Sequence, residues 1–148
     1  MSGTKWRFGG DMSHKILIVD DEENVRLVVK EAFSGAYQVL TAFDGVSAVE
    51  LIKRERPTVV FLDIKMPGIS GVEVLRLVKE AGVSSIIWML TGEEDLETAL
   101  KTLQLGAAGY LTKPFEVSKL RDIVLNEIEN VSMKGKSDDK PWRVEKDK

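Results

Sequence analysis

The stretch that decides the fold is Thr58-Val59-Val60-Phe61-Leu62-Asp63-Ile64-Lys65-Met66-Pro67-Gly68. Its first half is a run of apolar and β-branched residues, which is typical of a strand buried inside a parallel sheet. Asp63 is the first polar residue at the carboxyl end of this strand, and a Met-Pro-Gly turn follows it. In open α/β sheets, ligands bind at the carboxyl ends of the strands. We therefore expect Asp63 to lie in a functional site.

Four other short apolar runs read as strands, and each of the five strands is followed by a segment of helical period. The other strands are predicted at residues 15–19, 37–41, 85–90 and 107–111. The fourth helix is predicted to bury Leu96, Ala99, Leu100 and Leu103, and the third to begin with a Ser-x-x-Glu capping box at Ser70. Strict alternation of strands and helices predicts an α/β fold with a three-layer, doubly wound sheet of five parallel strands.

The composition is that of an ordinary globular protein, since 43% of the 148 residues are hydrophobic and 30% are charged. This length suits one domain, which we place at residues 14–131. We expect residues 1–13 to be a flexible extension, natural or added, and residues 132–148 to be a charged, disordered tail whose hydrophobic feature is Pro141-Trp142.

Charge and cysteine content exclude several classes of function. The 21 Lys and Arg against 24 Asp and Glu leave a net charge of −3, so the chain has no basic surface that would predict direct nucleic-acid binding. The absence of cysteine rules out a disulfide framework and a thiolate metal site. No apolar run approaches the length of a membrane span. We expect a cytoplasmic protein that does not insert into membranes.

Polar residues follow four of the five predicted strands, namely Asp20 and Asp21, Asp63, Thr91 and Lys113. With strand order 2-1-3-4-5, these residues meet at one edge of the sheet. Three neighbouring carboxylates repel one another unless a cation neutralises them, and oxygen ligands with open coordination positions suit Mg²⁺. A bound Mg²⁺ invites a phosphate, whose oxygens Lys113 and Thr91 can contact. A carboxylate in this setting can attack phosphorus and form an aspartyl phosphate.

Each of these residues also has a simpler interpretation. Asp21 and Thr91 are suited to cap the helices that follow them, and Lys113 can be an ordinary surface lysine. Tyr110, in the fifth strand, can be an edge-strand aromatic residue. Their joint occurrence at the ends of the right strands favours the functional interpretation.

The sequence resembles the receiver domain of two-component response regulators, the CheY-like superfamily. The resemblance covers residues 15–130 and rests on motifs in the family's order: Ile16-Leu17-Ile18-Val19-Asp20-Asp21-Glu22, Leu62-Asp63-Ile64-Lys65-Met66-Pro67-Gly68, Met89-Leu90-Thr91-Gly92, and Gly106-Ala107-Ala108-Gly109-Tyr110-Leu111-Thr112-Lys113-Pro114-Phe115. It implies the flavodoxin-like order 2-1-3-4-5 and a cis bond between Lys113 and Pro114.

The resemblance also implies a role for each matching residue. The phosphoacceptor would be Asp63, the Mg²⁺ ligands Asp20, Asp21, Asp63 and the backbone carbonyl of Lys65, the phosphate-contacting residue Lys113, and the switch residues Thr91 and Tyr110. The implied function is a phosphorylation switch in a phosphorelay and not an enzyme with turnover.

The resemblance further implies partners. A sensor histidine kinase or a histidine phosphotransfer protein would phosphorylate Asp63, and a small donor such as acetyl phosphate can substitute. The signal would reach a downstream effector protein, or a second copy of the chain, through the surface of the fourth helix, fifth strand and fifth helix. A stand-alone receiver and the receiver portion of a longer regulator both remain open.

Other classes fit less well. A haloacid-dehalogenase-type phosphatase places an Asp two residues after its nucleophile, where this chain has Lys65. A flavin or nucleotide module needs a Gly-rich or Ser/Thr-rich loop after the first strand, where this chain has four consecutive acids. A scaffold that is never phosphorylated does not need the full set of site residues. Lys65 and Glu93 flank the path of an attacking water, and we expect them to pair and slow hydrolysis of the phosphoryl group.

Overall fold

A computed structural model of the chain describes residues 14–134. The extension predicted at residues 1–13 and most of the predicted tail, including Trp142, lie outside the described residues. The last helix continues to Lys134, three residues beyond Val131, where we expected the domain to end. Among the helices in this range, none combines the length and apolar character needed to cross a membrane.

Within the described residues, five parallel strands form one sheet in the order β2-β1-β3-β4-β5, as predicted. The strands are β1 (Lys15–Val19), β2 (Gln38–Ala42), β3 (Val59–Asp63), β4 (Ile86–Thr91) and β5 (Gly109–Thr112). Val19 pairs with Ala42 on one side and Leu62 on the other, and Asp63 pairs with Leu90. The carboxyl ends of β1, β3 and β4 therefore lie level at one edge of the sheet.

Helices cover both faces of the sheet. They are α1 (Glu23–Ala32), α2 (Gly45–Glu55), α3 (Gly71–Glu80), α4 (Leu96–Gln104) and α5 (Val117–Lys134), with a 3₁₀ turn at Glu93–Asp95 before α4. The Asp44 carboxylate accepts from the Ser47 amide and begins α2. The Ser70 hydroxyl accepts from the Glu73 amide and begins α3, as the predicted capping box requires. The second half of that box is absent, because the Glu73 carboxylate pairs with Arg76 instead.

The alternation of side chains along each strand divides the core into two layers. On one face, Leu17, Val19, Val60 and Leu62 pack with residues of α2 and α3, chiefly Ala48, Ile52, Val74 and Val78. On the other face, Ile16, Ile18 and Phe61 pack with residues of α1 and α5, chiefly Val29, Phe33, Leu120 and Val124. Each fully buried Leu, Ile or Phe side chain contributes about 1.5–3 kcal/mol, so β1 and β3 are the most firmly held elements of the sheet.

The prediction for α4 is confirmed for Ala99 and was wrong for its three leucines. Leu96, Leu100 and Leu103 are exposed, with 53% of Leu100 accessible, whereas Ala99 and Thr102 face the core. Thr102 tolerates burial because its hydroxyl donates to the Ala99 carbonyl one turn earlier. The helix is therefore rotated so that its small residues meet the sheet and its leucines face outward.

The predicted fifth strand also began too early. Ala107 is not part of β5, because its amide still bonds to the carbonyl of Thr102 at the end of α4. The strand begins at Gly109 and runs to Thr112. Gly109 fits beside Trp88 on β4, where a β-carbon would meet the indole ring at 2.6 Å.

Candidate functional site

Asp63 is the last residue of β3, and the backbone around it leaves little freedom. The Ile64 amide donates to the Leu90 carbonyl at 3.0 Å, and the Gly71 amide donates to the Ile64 carbonyl at 2.8 Å. A β-carbon at Gly71 would overlap the carbonyl oxygen of Asp63, so the start of α3 packs directly on the end of β3. Only 6% of Asp63 is exposed. The sheet and α3 together fix the carboxylate at the carboxyl edge.

Three carboxylates meet at this edge, as predicted. Asp20, Asp21 and Asp63 each offer an oxygen, and these oxygens lie within 4.8 Å of one another. Asp20 and Asp63 are buried, whereas Asp21 is exposed. The ammonium of Lys113 reaches in from the segment after β5, 2.8 Å from Asp20 Oδ2 and 3.4 Å from Asp63 Oδ2. One cation is thus shared between two buried anions.

Burial and neighbouring charges shift the pKa values of Asp63 and Lys113. Burial, followed by the negative charge of Asp20, raises the pKa of Asp63 from 3.8 to about 6, although Lys113 and the Lys65 amide act in the opposite direction. Burial disfavours the ammonium of Lys113, but its hydrogen bond to Asp20 and the charges of Asp20 and Asp63 prevail and raise its pKa. Lys113 therefore stays protonated, and the anionic form of Asp63 is incompletely compensated.

The predicted switch residues lie on the two neighbouring strands. Thr91 ends β4 with 1% of its surface exposed, and its hydroxyl donates to the Gly92 carbonyl at 3.0 Å. Its main-chain carbonyl accepts from the Lys113 amide at 2.7 Å, which ties β4 to the end of β5. Tyr110 pairs with Met89 in the sheet and is half-buried against the core layer of α2 and α3. The predicted cis bond between Lys113 and Pro114 is confirmed.

The predicted pairing of Lys65 with Glu93 was wrong. The Lys65 ammonium lies 3.8 Å from Glu94 Oε2 and 3.9 Å from Asp95 Oδ2. The 3₁₀ turn at Glu93–Asp95 places the second and third of its three acids, and not the first, toward the loop after β3. Lys65 and Glu94 are both largely exposed, so this contact is a surface pairing at the side of the cluster.

No sequence motif singles out Arg26, which contacts the site. Its guanidinium donates to the carbonyl oxygen of Asp20 at 2.9 Å and lies 5.8 Å from the centre of the Phe43 ring. The signal available in the sequence was weak: an arginine five residues after the acidic pair, in the first turn of a helix. A contact to a main-chain carbonyl leaves no pattern of residue types from which to predict it.

The donor set suits a hard divalent cation. The cluster offers oxygen ligands without thiol or imidazole, and three carboxylates face a single ammonium at contact distance. The pKa of Asp63 is raised first by burial and then by the negative charge of Asp20, so both effects disfavour its anionic form while no cation is bound. Exposed Asp21 leaves the cluster open to solvent on one side. These residues fit Mg²⁺, which prefers a few carboxylates and keeps several waters.

A groove adjoins the cluster on the side of α3 and α4, with a volume of about 480 Å³. Its lining combines the exposed acid of the cluster, the loop after β3 and one residue of α4: Asp21, Ile64, Lys65, Met66, Pro67, Ser70, Val72 and Thr98. The side of the cluster that carries Asp21 and Lys65 is thereby accessible from solvent.

The chain is similar to known proteins along most of its length. The family model described as the response regulator receiver domain matches residues 16–125. Sporulation initiation phosphotransferase F of Bacillus subtilis (strain 168) is 35% identical over 114 residues, which are 76% of this chain and 92% of that protein. Regulatory protein AtoC of Escherichia coli (strain K12) is 34% identical over 122 residues, 82% of this chain but 26% of AtoC.

A solved structure carries the same fold. The response regulator receiver domain protein from Clostridium thermocellum superposes with a TM-score of 0.76 at 30% identity, over 81% of this chain and 98% of that one. The family match covers most of the chain and includes all four strand ends that form the cluster. The chain therefore belongs to the response regulator receiver domains, the signalling modules of two-component systems.

Proposed function

We propose that this chain accepts a phosphoryl group on Asp63 in a reaction that requires Mg²⁺. The observation that carries the proposal is the buried Asp63 carboxylate at the end of β3, with Lys113 Nζ at 3.4 Å and two further carboxylates within 4.8 Å. This arrangement unites a nucleophile, a cation for the phosphoryl oxygens and a set of metal ligands. The membership of the chain in the receiver family supports the same reaction.

The donor is a phosphohistidine of a sensor histidine kinase or of a histidine phosphotransfer protein. An Asp63 carboxylate oxygen attacks phosphorus, an O–P bond forms, and the P–N bond of the donor breaks. The electron pair of that bond returns to the imidazole nitrogen, and the product is an acyl phosphate on Asp63. Because the pKa of Asp63 is about 6 in the metal-free protein, most of the carboxylate is already ionised at pH 7.

Asp20, Asp21, Asp63 and the backbone carbonyl of Lys65 would hold the Mg²⁺. When bound, the ion would neutralise the carboxylates and stabilise negative charge on the transferred oxygens. Lys113 turns from its shared position between two carboxylates toward the phosphoryl oxygens. The exposed side of Asp21 admits the donor, while buried Asp20 stays in place.

Phosphorylation is proposed to change the surface formed by α4, β5 and α5. The Thr91 hydroxyl leaves the Gly92 carbonyl to donate to a phosphoryl oxygen, which draws in the loop that begins α4. Half-buried Tyr110 packs more deeply as that loop moves. The exposed Leu96, Leu100 and Leu103 on α4 support this surface as the contact for an effector protein or a second copy of the chain. A ligand shifts such an equilibrium only as far as it binds one conformation better.

The names and lengths of the relatives suggest at which step of a phosphorelay the chain acts. The Bacillus relative is called a phosphotransferase, and this chain spans nearly all of it. AtoC is a regulatory protein of which this chain spans about a quarter. The first relative favours a role as a carrier that receives and passes on a phosphoryl group.

The test is phosphorylation by acetyl phosphate with Mg²⁺, followed by intact-mass measurement. We expect the mass of one phosphoryl group to be added, in a form that hydroxylamine removes. Asp63→Asn should show no adduct, and a chelator should suppress it in the wild type. Asp122→Asn, which changes an exposed carboxylate on α5, is the matched control and should be phosphorylated normally. An adduct of equal yield in Asp63→Asn contradicts the proposal.

A further inference from the structure

Three polar atoms of Asp20 are hydrogen-bonded, and the fourth, Oδ2, has an ion pair but no well-aligned hydrogen bond among the described residues. Its amide donates to the Ala42 carbonyl at 3.1 Å, and its Oδ1 accepts from the Glu22 amide at 2.9 Å. Its Oδ2 lies 2.8 Å from Lys113 Nζ, and its carbonyl oxygen accepts from Arg26 Nη1 at 2.9 Å. Asp20 is completely buried. Two of its four contacts are thus made by charged side chains.

Arg26 is itself fixed on two sides. Its backbone amide donates to the Glu22 carbonyl in the first turn of α1. Its guanidinium lies 5.8 Å from the centre of the Phe43 ring, in the loop that joins β2 to α2. Phe43 is 58% exposed, so this ring contributes little to the core and is free to serve as a platform for the cation. Through the side chain of Arg26, the segment after β1 that contains Asp20 and Asp21 is connected to α1 and to the β2–α2 loop.

The two charged contacts of Asp20 differ in what happens during the proposed reaction. Lys113 is shared with Asp63 and turns to the phosphoryl group, so its hold on Asp20 weakens when the site is occupied. Arg26 contacts the main chain of Asp20 and none of the reacting atoms, so its hold persists. A charge-assisted bond to that carbonyl also fixes the peptide unit that leads into exposed Asp21.

We infer that Arg26 is a positioning residue that keeps Asp20 and Asp21 in the geometry for binding Mg²⁺. The inference rests on the proposed function, because it concerns the metal site on which that function depends. Side chains that orient the ligands of a metal alter its affinity about 10–100-fold when they are removed. Arg26 acts through one carbonyl, so we expect the lower end of that range.

The experiment is calorimetric titration of the metal-free chain with Mg²⁺. Arg26→Gln should raise the dissociation constant about tenfold, and Arg26→Lys, which still donates to the carbonyl, should recover most of the affinity. Phe43→Leu removes the aromatic platform alone and should raise the dissociation constant about two- to fivefold. Arg76→Gln is the matched control, since Arg76 pairs with Glu73 and Glu80 on α3.

The titration separates positioning from general stability, because a purely structural role lowers the melting temperature without changing the affinity of the folded molecules. If Arg26→Gln binds Mg²⁺ within twofold of the wild type, the inference is overturned. Where Arg26→Gln does not fold, Phe43→Leu decides, and an unchanged dissociation constant there has the same consequence. A wild type that gives no Mg²⁺ signal overturns the proposed function, and the inference with it.

Discussion

Replacing Asp63 by asparagine should stabilise the metal-free protein at neutral pH, although Asp63 is the residue proposed to react. The variant keeps the shape of the side chain and removes its charge. In the wild type, that charge is buried beside Asp20, and the two carboxylates share the ammonium of Lys113. The folded state therefore carries an anion that the unfolded state would solvate fully.

The size of the effect follows from the pKa of Asp63, which is 3.8 in a free chain and about 6 in the folded protein. Since the folded pKa is the higher one, the folded state holds the proton more tightly. The stability linked to this proton is complete below pH 3.8 and is lost as the pH rises through 6. With 1.36 kcal/mol for each pKa unit, the loss is about 3 kcal/mol at pH 7 and about 1.6 kcal/mol at pH 5.

The assay is urea denaturation of both proteins in chelator, from pH 5 to pH 7.5. The free energy of unfolding of Asp63→Asn should be higher than that of the wild type by up to about 3 kcal/mol at pH 7, and by about half as much at pH 5. Saturating Mg²⁺ should narrow the gap, because it stabilises the wild type more. Asp122→Asn, at an exposed position, should stay within about 0.5 kcal/mol of the wild type. A variant no more stable than the wild type at pH 7, or a gap independent of pH, refutes the reasoning.

Three further predictions concern the surroundings of the cluster. Gly71→Ala should destabilise the chain by about 1–3 kcal/mol in urea denaturation and slow phosphorylation by acetyl phosphate, because the new β-carbon overlaps the Asp63 carbonyl; unchanged values for both contradict the packing. Ser70→Ala removes the cap that accepts from the Glu73 amide and should lower the free energy of unfolding by about 1 kcal/mol. Lys65→Ala should alter the free energy of unfolding by less than about 0.5 kcal/mol, since its ion pairs are 3.8 and 3.9 Å long and its own side chain is largely exposed. The same variant should lose its phosphoryl group faster than the wild type in a decay assay. A slower loss contradicts the expectation that Lys65 slows the attack of water on the phosphoryl group.

The sheet and its cluster could be predicted because both depend on local features of the sequence. A continuous apolar run such as Val59–Leu62 can be accommodated only inside the sheet, and the first polar residue after it marks the strand end. Parallel topology then places the strand ends at one edge of the sheet, and the strand order 2-1-3-4-5 implied by the family resemblance makes them neighbours. This is why Asp20, Asp63 and Lys113 could be placed beside one another from the sequence.

The features that were predicted wrongly or missed have a common cause. They depend on how helices pack on the sheet, or on where individual side chains point. The period of α4 indicates an apolar stripe, but the sheet selects the small side chains of Ala99 and Thr102 for its contact. The partner of Lys65 is decided by the course of a 3₁₀ turn and not by spacing from Thr91. Arg26 binds a main-chain oxygen, which every residue type offers equally.

Stability and function oppose each other at Asp63. The apolar strands on either side exclude water, and this exclusion raises the pKa of the carboxylate and destabilises its ionised form. Because three carboxylates face Lys113, the cluster keeps a negative charge that Mg²⁺ would neutralise on binding, whereas a phosphoryl group on Asp63 would add further negative charge. The excess negative charge therefore favours binding of Mg²⁺, and the added charge of the phosphoryl group would be compensated by Mg²⁺ and Lys113 together. The fold tolerates a penalty of about 3 kcal/mol there because it equals the contribution of only one or two buried side chains in β1 and β3.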